Sequence, residues 1–189
     1  MHSKSYRFLT PLIMVLTWAN MEAQTSHPVP RLVVNVTIDQ LRTDYMEAFS
    51  SLFGAGGFNK VMRDGRSYMD AAYPFSHIDR ASAVACIMTG TVPYDNGIVG
   101  EHWMDRKTLR PMYCVDDATC EGWLTSEKYS PGALNVSTVT DELKMATGGR
   151  ALVYSIAPDA DAAILAAGHA ADGAFWIDNA SGQWSSTSY

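Results

Sequence analysis

The stretch RLVVNVTIDQLRTDYMEAFSSLFGAGG, residues 31–57, sets the strongest limit on what this chain can fold into. Its first nine residues are rich in β-branched side chains and nearly continuous in apolar ones, without the in-out alternation of a half-exposed strand. This pattern predicts a strand buried on both faces. The strand ends in Asp39. Leu41, Tyr45, Ala48, Phe49 and Leu52 then recur at helical spacing, and a glycine cluster closes the helix.

The same alternation continues along the chain. GGFNKVMRDG predicts a second helix leading to a short strand near RSYMDAAY, and SHIDRASAVACIMTG predicts a third helix stopped by Gly90. STVTDELKMATGG reads as a capped helix, RALVYSIA as a strand and DADAAILAAG as a helix. Together these units predict an α/β fold: a doubly wound, mainly parallel sheet with helices on both faces.

The two ends read differently. MHSKSYR is a basic leader and FLTPLIMVLTWA an apolar run too short to span a bilayer, so residues 1–23 are expected to be a secretory signal peptide. Cleavage fits after Ala19 or after Ala23. Residues 24–30, with the Pro-rich SHPVP, form a linker, and 31–189 the domain. The product is expected to be exported, to the periplasm or beyond, with no membrane attachment after cleavage. At the other end GAFWIDNASGQWSSTSY predicts a β-hairpin whose second arm runs to the last residue, which suggests a domain truncated at its C-terminus.

Charge and cysteine content narrow the partners. Cutting after Ala23 removes Lys4, Arg7 and Glu22 and takes the formal net charge from -6 to -7, which excludes nucleic acid as a bulk electrostatic partner. In an oxidising compartment Cys114 and Cys120 are close enough in sequence for a local disulfide, leaving Cys86 as a buried, inert thiol in a helix. The sequons at Asn35, Asn135 and Asn179 carry no weight, since Asn35 lies in the predicted core strand.

Two places in the sequence suggest chemistry. Asp39 stands at the carboxyl end of a strand, where open α/β sheets bind ligands, although it also suits capping of the helix that follows. The start of SHIDRASAVACIMTG offers a helix N-terminus with free N–H groups that favour anions. Ser76 and Asp79 fit a capping box there. Arg80 falls in the first turn, where the helix dipole disfavours a cation, so its presence calls for an anionic partner.

The order of LVVNVTIDQLRTDY, GGFNKVMRDG, YPFSHIDRASAVACIMTGTVPYDNGIVGEHWMD, DELKMATGGRALVYSIAPDADAAILAAGHAADGAFWID and GQWSSTSY resembles the alkaline phosphatase superfamily. The branch it is most similar to is that of the bacterial periplasmic phosphomonoesterases related to type I phosphodiesterases and nucleotide pyrophosphatases. The resemblance implies an alkaline-phosphatase-like fold, two zinc ions, small phosphate esters as substrates, and a Thr or Ser nucleophile at a helix N-terminus. It implies that Asp39 is a metal ligand. The other family ligands belong to a later part of the family's sequence, so Asp39 alone is not expected to assemble the two-zinc site.

Four positions depart from the family pattern. The nucleophilic hydroxyl falls on Arg80, the phosphate-contacting Asn on Glu101, and the phosphate-gripping Lys and Arg on Asp159 and Asp161. Two readings follow. In one, a hydrolase works with an altered nucleophile: Asp79 or Ser82 attacks, or a zinc-bound water attacks while Arg80 holds the anion. In the other, the scaffold serves as a non-catalytic periplasmic binding protein. His169, in AGHAADG, reads as structural in preference to metal-binding, and His77 and His102 flank the pocket positions.

Overall fold

The computed structural model describes residues 29–189, so the predicted signal peptide and most of the linker lie outside the described residues. It divides into two units, Met1–Val34 and Asn35–Tyr189. Of the first, residues 29–34 are described; they form no helix or strand, and Leu32 and Val34 are exposed.

The second unit begins with Val36 and Ile38 exposed and no strand. The predicted central strand at 31–39 is therefore not formed among the described residues. The predicted strand near RSYMDAAY is likewise absent among the described residues. The first two helices form near the positions expected, α1 at Thr43–Ala48, followed by a short 3-10 turn at Ser50–Leu52, and α2 at Gly57–Asp64.

The ordered core starts at α3, Arg80–Thr89. Ala81, Val84, Ala85 and Met88 of α3 pack with Ala163, Ile164, Leu165 and Ala167 of α6, Ala160–Ala167. The ADAAILAA sequence of α6 explains its depth: strong helix formers with apolar side chains all round belong to a helix enclosed on every side. Small side chains on both helices let them approach closely.

β4 (Tyr154–Ile156) and β5 (Gly173–Ile177) lie against α6 and pair in parallel, Tyr154 opposite Gly173. β5 pairs antiparallel with β6 (Trp184–Thr187), and β6 with the short β3 (Gly122–Trp123), giving the order β3-β6-β5-β4. Parallel pairing is thus confined, among the described residues, to β4 and β5. The predicted C-terminal hairpin is present. Asp178 closes its turn, its Oδ2 accepting the Ser181 N–H at 2.8 Å and the Ser181 hydroxyl at 2.7 Å.

A second hairpin, β1 (His102–Met104) with β2 (Pro111–Tyr113), forms where the sequence pattern predicts no element. Asp105 nucleates it by accepting the N–H groups of Lys107 and Thr108. The path into this hairpin is fixed by the short helix α4, Pro93–Asn96. Asn96 is fully buried; its Nδ2 donates to the Thr91 carbonyl at 3.0 Å, and its Oδ1 accepts the Ile98 N–H at 2.9 Å. Gly97 follows at φ 86°, where a Cβ would lie 2.8 Å from the Ala133 carbonyl oxygen.

α5, Val139–Ala146, carries the capping box that its sequence predicts, with Thr138 as N-cap and Asp141 reaching back. Asp141 also ties α5 to the loop after α6. Its Oδ1 accepts the Ala170 N–H at 2.9 Å, its Oδ2 meets His169 Nδ1 at 3.0 Å, and His169 Nε2 meets the Leu134 carbonyl at 3.0 Å. Both ring nitrogens of His169 are therefore engaged by the chain itself, consistent with a structural role. Burial pushes the Asp141 carboxyl up, but hydrogen bonds from Thr138, His169 and Ala170 outweigh it and hold the group below its ordinary range.

A carboxyl depressed in this way stabilises the fold above its unfolded value and loses that contribution as pH falls through the lower one. The melting temperature of the protein should therefore drop between about pH 5 and pH 2, and the Asp141→Asn variant should show a shallower drop over the same range. Thermal melts of both proteins at a series of pH values check this. Identical slopes would remove Asp141 as the cause.

All three cysteines are free, so the expected local disulfide is not formed. Cys114 is buried in the main core, and Cys120 Sγ points to Asp117 Oδ2 at 3.7 Å. Cys86 is half-buried, and burial pushes its thiol up.

Candidate functional site at the start of α3

The α3 helix begins three residues later than the Ser76 cap predicts. Asp79 is the N-cap and Ser82 the third helical residue, and together they make the capping box. Asp79 Oδ1 accepts the Ser82 N–H at 2.9 Å and its hydroxyl at 2.7 Å, and the Ser82 hydroxyl accepts the Asp79 N–H at 3.0 Å. Asp79 wins over Ser76 because a carboxylate at the N-cap adds favourable charge at the positive end of the dipole.

Asp79 has a second task. Its Oδ2 accepts the backbone N–H of Glu101, which anchors the start of β1 to the start of α3. Burial would raise the Asp79 carboxyl, but the bonds from Ser82 and Glu101 and the nearby charge of His77 hold it below its ordinary range. Ser82 is fully buried. Both groups named as substitute nucleophiles thus have their side-chain oxygens engaged, in the cap and, for Asp79 Oδ2, on the Glu101 N–H.

Arg80 follows and turns away from the helix axis into a nest of carboxylates. Its Nε lies 3.1 Å from each oxygen of Asp161, its Nη1 3.1 Å from Asp159 Oδ2, and its Nη2 3.3 Å from Glu101 Oε1. These are the four positions that the resemblance leads one to expect to depart from the family pattern, and the fold brings all of them together. The anionic partner that Arg80 requires at a helix start is supplied by the chain itself. Burial works against its charge, yet the three carboxylates outweigh burial and raise its affinity for the proton.

The two helix starts explain the asymmetry of this cluster. Asp161 lies in the first turn of α6, where the helix dipole favours an anion, and it is completely buried. Its backbone N–H donates to the Tyr113 hydroxyl at 3.2 Å. Asp159 is the N-cap of α6 but makes no side-chain cap bond, so its carboxylate is directed to Arg80.

Beside the cluster lies a cavity of about 370 Å³, and sequence reasoning found only part of its lining. Arg80, Glu101 and Asp159 border it. So do Tyr113, Glu127, Tyr129, Trp176 and Asp178, none of which was singled out. Tyr113 ends β2 of the second hairpin, whose three-residue strands carry almost no periodic signal. His102 stacks on Tyr113, with ring centroids 4.8 Å apart, while His77 is exposed ahead of α3.

Asp39 is exposed and lies in a turn with Gln40, whose φ is 58°. Its charge is felt by Tyr73, whose phenol is pushed up chiefly by burial and further by Cys86 and Asp39. Among the described residues no group of three or more His, Cys, Asp or Glu side chains gathers around it or elsewhere in a way that could hold a metal ion. A zinc site needs at least three protein donors, so Asp39 and the other described residues do not by themselves complete one.

Comparison with known proteins places this arrangement in context. Residues 33–189 match the family model for type I phosphodiesterase / nucleotide pyrophosphatase. The chain is 41% identical over 164 residues to alkaline phosphatase PhoV of Synechococcus elongatus, covering 85% of this chain and 30% of that protein. It is 32% identical over 187 residues to alkaline phosphatase PafA of Elizabethkingia meningoseptica, covering 97% of this chain and 34% of that protein. The crystal structure of PafA superimposes with a TM-score of 0.80 at 34% identity, over 85% of this chain and 32% of that one. A variant of PafA substituted at a threonine, an asparagine, a lysine and an arginine superimposes with a TM-score of 0.73. The chain spans about a third of the length of the curated relatives it matches.

Proposed function

Because the chain belongs to the type I phosphodiesterase / nucleotide pyrophosphatase family, within the alkaline phosphatase superfamily, we propose that it is an exported phosphoric-ester hydrolase with an altered nucleophile. Its reaction does not pass through a covalent phosphoryl group on residue 80. The observation that carries this reading is the geometry of Arg80, a side chain without a hydroxyl, held by three carboxylates at the helix start. The substrate is a small phosphate ester. One cation against three carboxylates repels a phosphate dianion, so a diester, with one fewer negative charge, suits the pocket better than a monoester.

Export rests on the basic-then-apolar leader of residues 1–23, with the periplasm or the medium as destination. No helix among the described residues is long and apolar enough to cross a membrane. Metal dependence, with zinc as the ion, rests on family likeness and on Asp39, the one ligand position this chain contributes.

The test uses the protein as its gene encodes it, purified with zinc and offered chromogenic phosphate mono- and diesters. Hydrolysis of the diester, lost in Asp39→Ala, with no acid-stable phosphoryl-enzyme trapped, is the expected result. Faster monoester hydrolysis with a trapped phosphoryl group would overturn it. A second reading, a non-catalytic binding protein on the same scaffold, is favoured by the engagement of Asp79 and Ser82 in the cap. Zinc-free preparations that hydrolyse neither ester would establish that reading.

A further inference from the structure

The cavity beside Arg80 combines two features that its relationship to phosphate chemistry does not explain. The first is an aromatic wall. Tyr113 and Tyr129 meet edge to face with ring centroids 5.3 Å apart, and Tyr129 continues to Trp176 at 5.8 Å. The second is carboxylate oxygen left over after the ion pairs are made. Glu101 and Asp159 each engage Arg80 through one oxygen, and Glu127 accepts the Tyr129 hydroxyl through Oε2 at 3.1 Å. Glu101 Oε2, Asp159 Oδ1 and Glu127 Oε1 accept no hydrogen bond among the described residues, and all three residues line the cavity.

A compact inorganic cation gains little from such a wall, because it keeps its hydration shell and needs a ring of oxygen donors that is not assembled here. A phosphate dianion meets an excess of negative charge. An alkylated ammonium is matched by both features, since it sheds water readily, is attracted to aromatic faces and is neutralised by nearby carboxylates. The volume of about 370 Å³ is at the small end for ligand sites and suits a small molecule. The phenols of Tyr113 and Tyr129 are pushed up by burial and by surrounding carboxylates, the response expected where the local potential is negative.

The geometry points to this cavity as a binding site for a small organic cation of the alkylammonium class, seated against Tyr113, Tyr129 and Trp176 and facing Glu101, Glu127 and Asp159. The site holds whether or not the protein hydrolyses esters, so its test is a binding measurement.

Isothermal titration of the protein at constant ionic strength, with choline, with its neutral isostere 3,3-dimethylbutanol and with inorganic phosphate, decides the matter. Choline should bind saturably, about tenfold or more tighter than the isostere, and phosphate should not bind. Glu127→Gln, a change at an exposed side chain that leaves the Arg80 cluster intact, should weaken choline several-fold. Absence of saturable choline binding, equal binding of the neutral isostere, phosphate binding, or an unaltered Glu127→Gln affinity would each overturn the assignment. The ester assay is independent of all four outcomes, so failure of one reading is separable from failure of the other.

Discussion

Replacing Arg80 with threonine, the residue that would supply a hydroxyl at the helix start, should destabilise the protein by about 3–5 kcal/mol and yield no phosphatase activity. The reason lies with Asp161, which is fully buried and takes both of its side-chain bonds from Arg80 Nε. Without the guanidinium, a carboxylate remains in the interior with no cation, while Asp159 and Glu101 add like charge nearby. A double substitution, Arg80→Thr with Asp161→Asn, removes the orphan charge and should recover much of the loss. Denaturant unfolding of the two variants and the parent measures this. Equal stability of Arg80→Thr and the parent would show that the pairing contributes little.

The largest change in ligand preference should come from exchanging all four positions at once. Arg80→Thr, Glu101→Asn, Asp159→Lys and Asp161→Arg together replace one cation and three carboxylates with a hydroxyl, an amide and two cations. The same four residue types are those substituted in the PafA variant structure. The exchange reverses the sign of the pocket while keeping oppositely matched groups for a phosphate oxygen. Inorganic phosphate, which the parent should not bind measurably, should then bind at least about a hundredfold tighter, since two guanidinium or ammonium groups contribute several kcal/mol against a dianion. Titration with phosphate, together with a melt to confirm folding, is the measurement. A folded quadruple variant that still ignores phosphate would detach these positions from anion binding.

Much of the local structure was legible because its causes are local. The caps of α5, the alanine-rich burial of α6, the glycine stop of α3 and the Asp178 turn each follow from a few adjacent residues. The central strand at 31–39 was misjudged because a strand is a statement about a neighbour, and periodicity cannot say whether the neighbour is present. The β1–β2 hairpin escaped notice for a related reason: three-residue strands around a charged turn carry almost no periodic signal.

The site divides along the same line. Arg80 stands out on its own, because a cation at a helix start conflicts with the dipole, and counting along the motifs of the resemblance sets Glu101, Asp159 and Asp161 beside it as expected departures. That Asp159 would decline to cap its own helix and turn to Arg80 was not visible, since it depends on α6 meeting α3. Nor was the aromatic wall, whose members come from β2, the segment before Ser130, and β5.

The Arg80–Asp161 pair also makes the two positions interdependent. Changing Arg80 alone leaves the fully buried Asp161 without a cation, and changing Asp161 alone removes the carboxylate that engages Arg80 Nε. Each half is tolerable only with the other in place, so single changes at either position cost folding stability whatever they do to ligand binding.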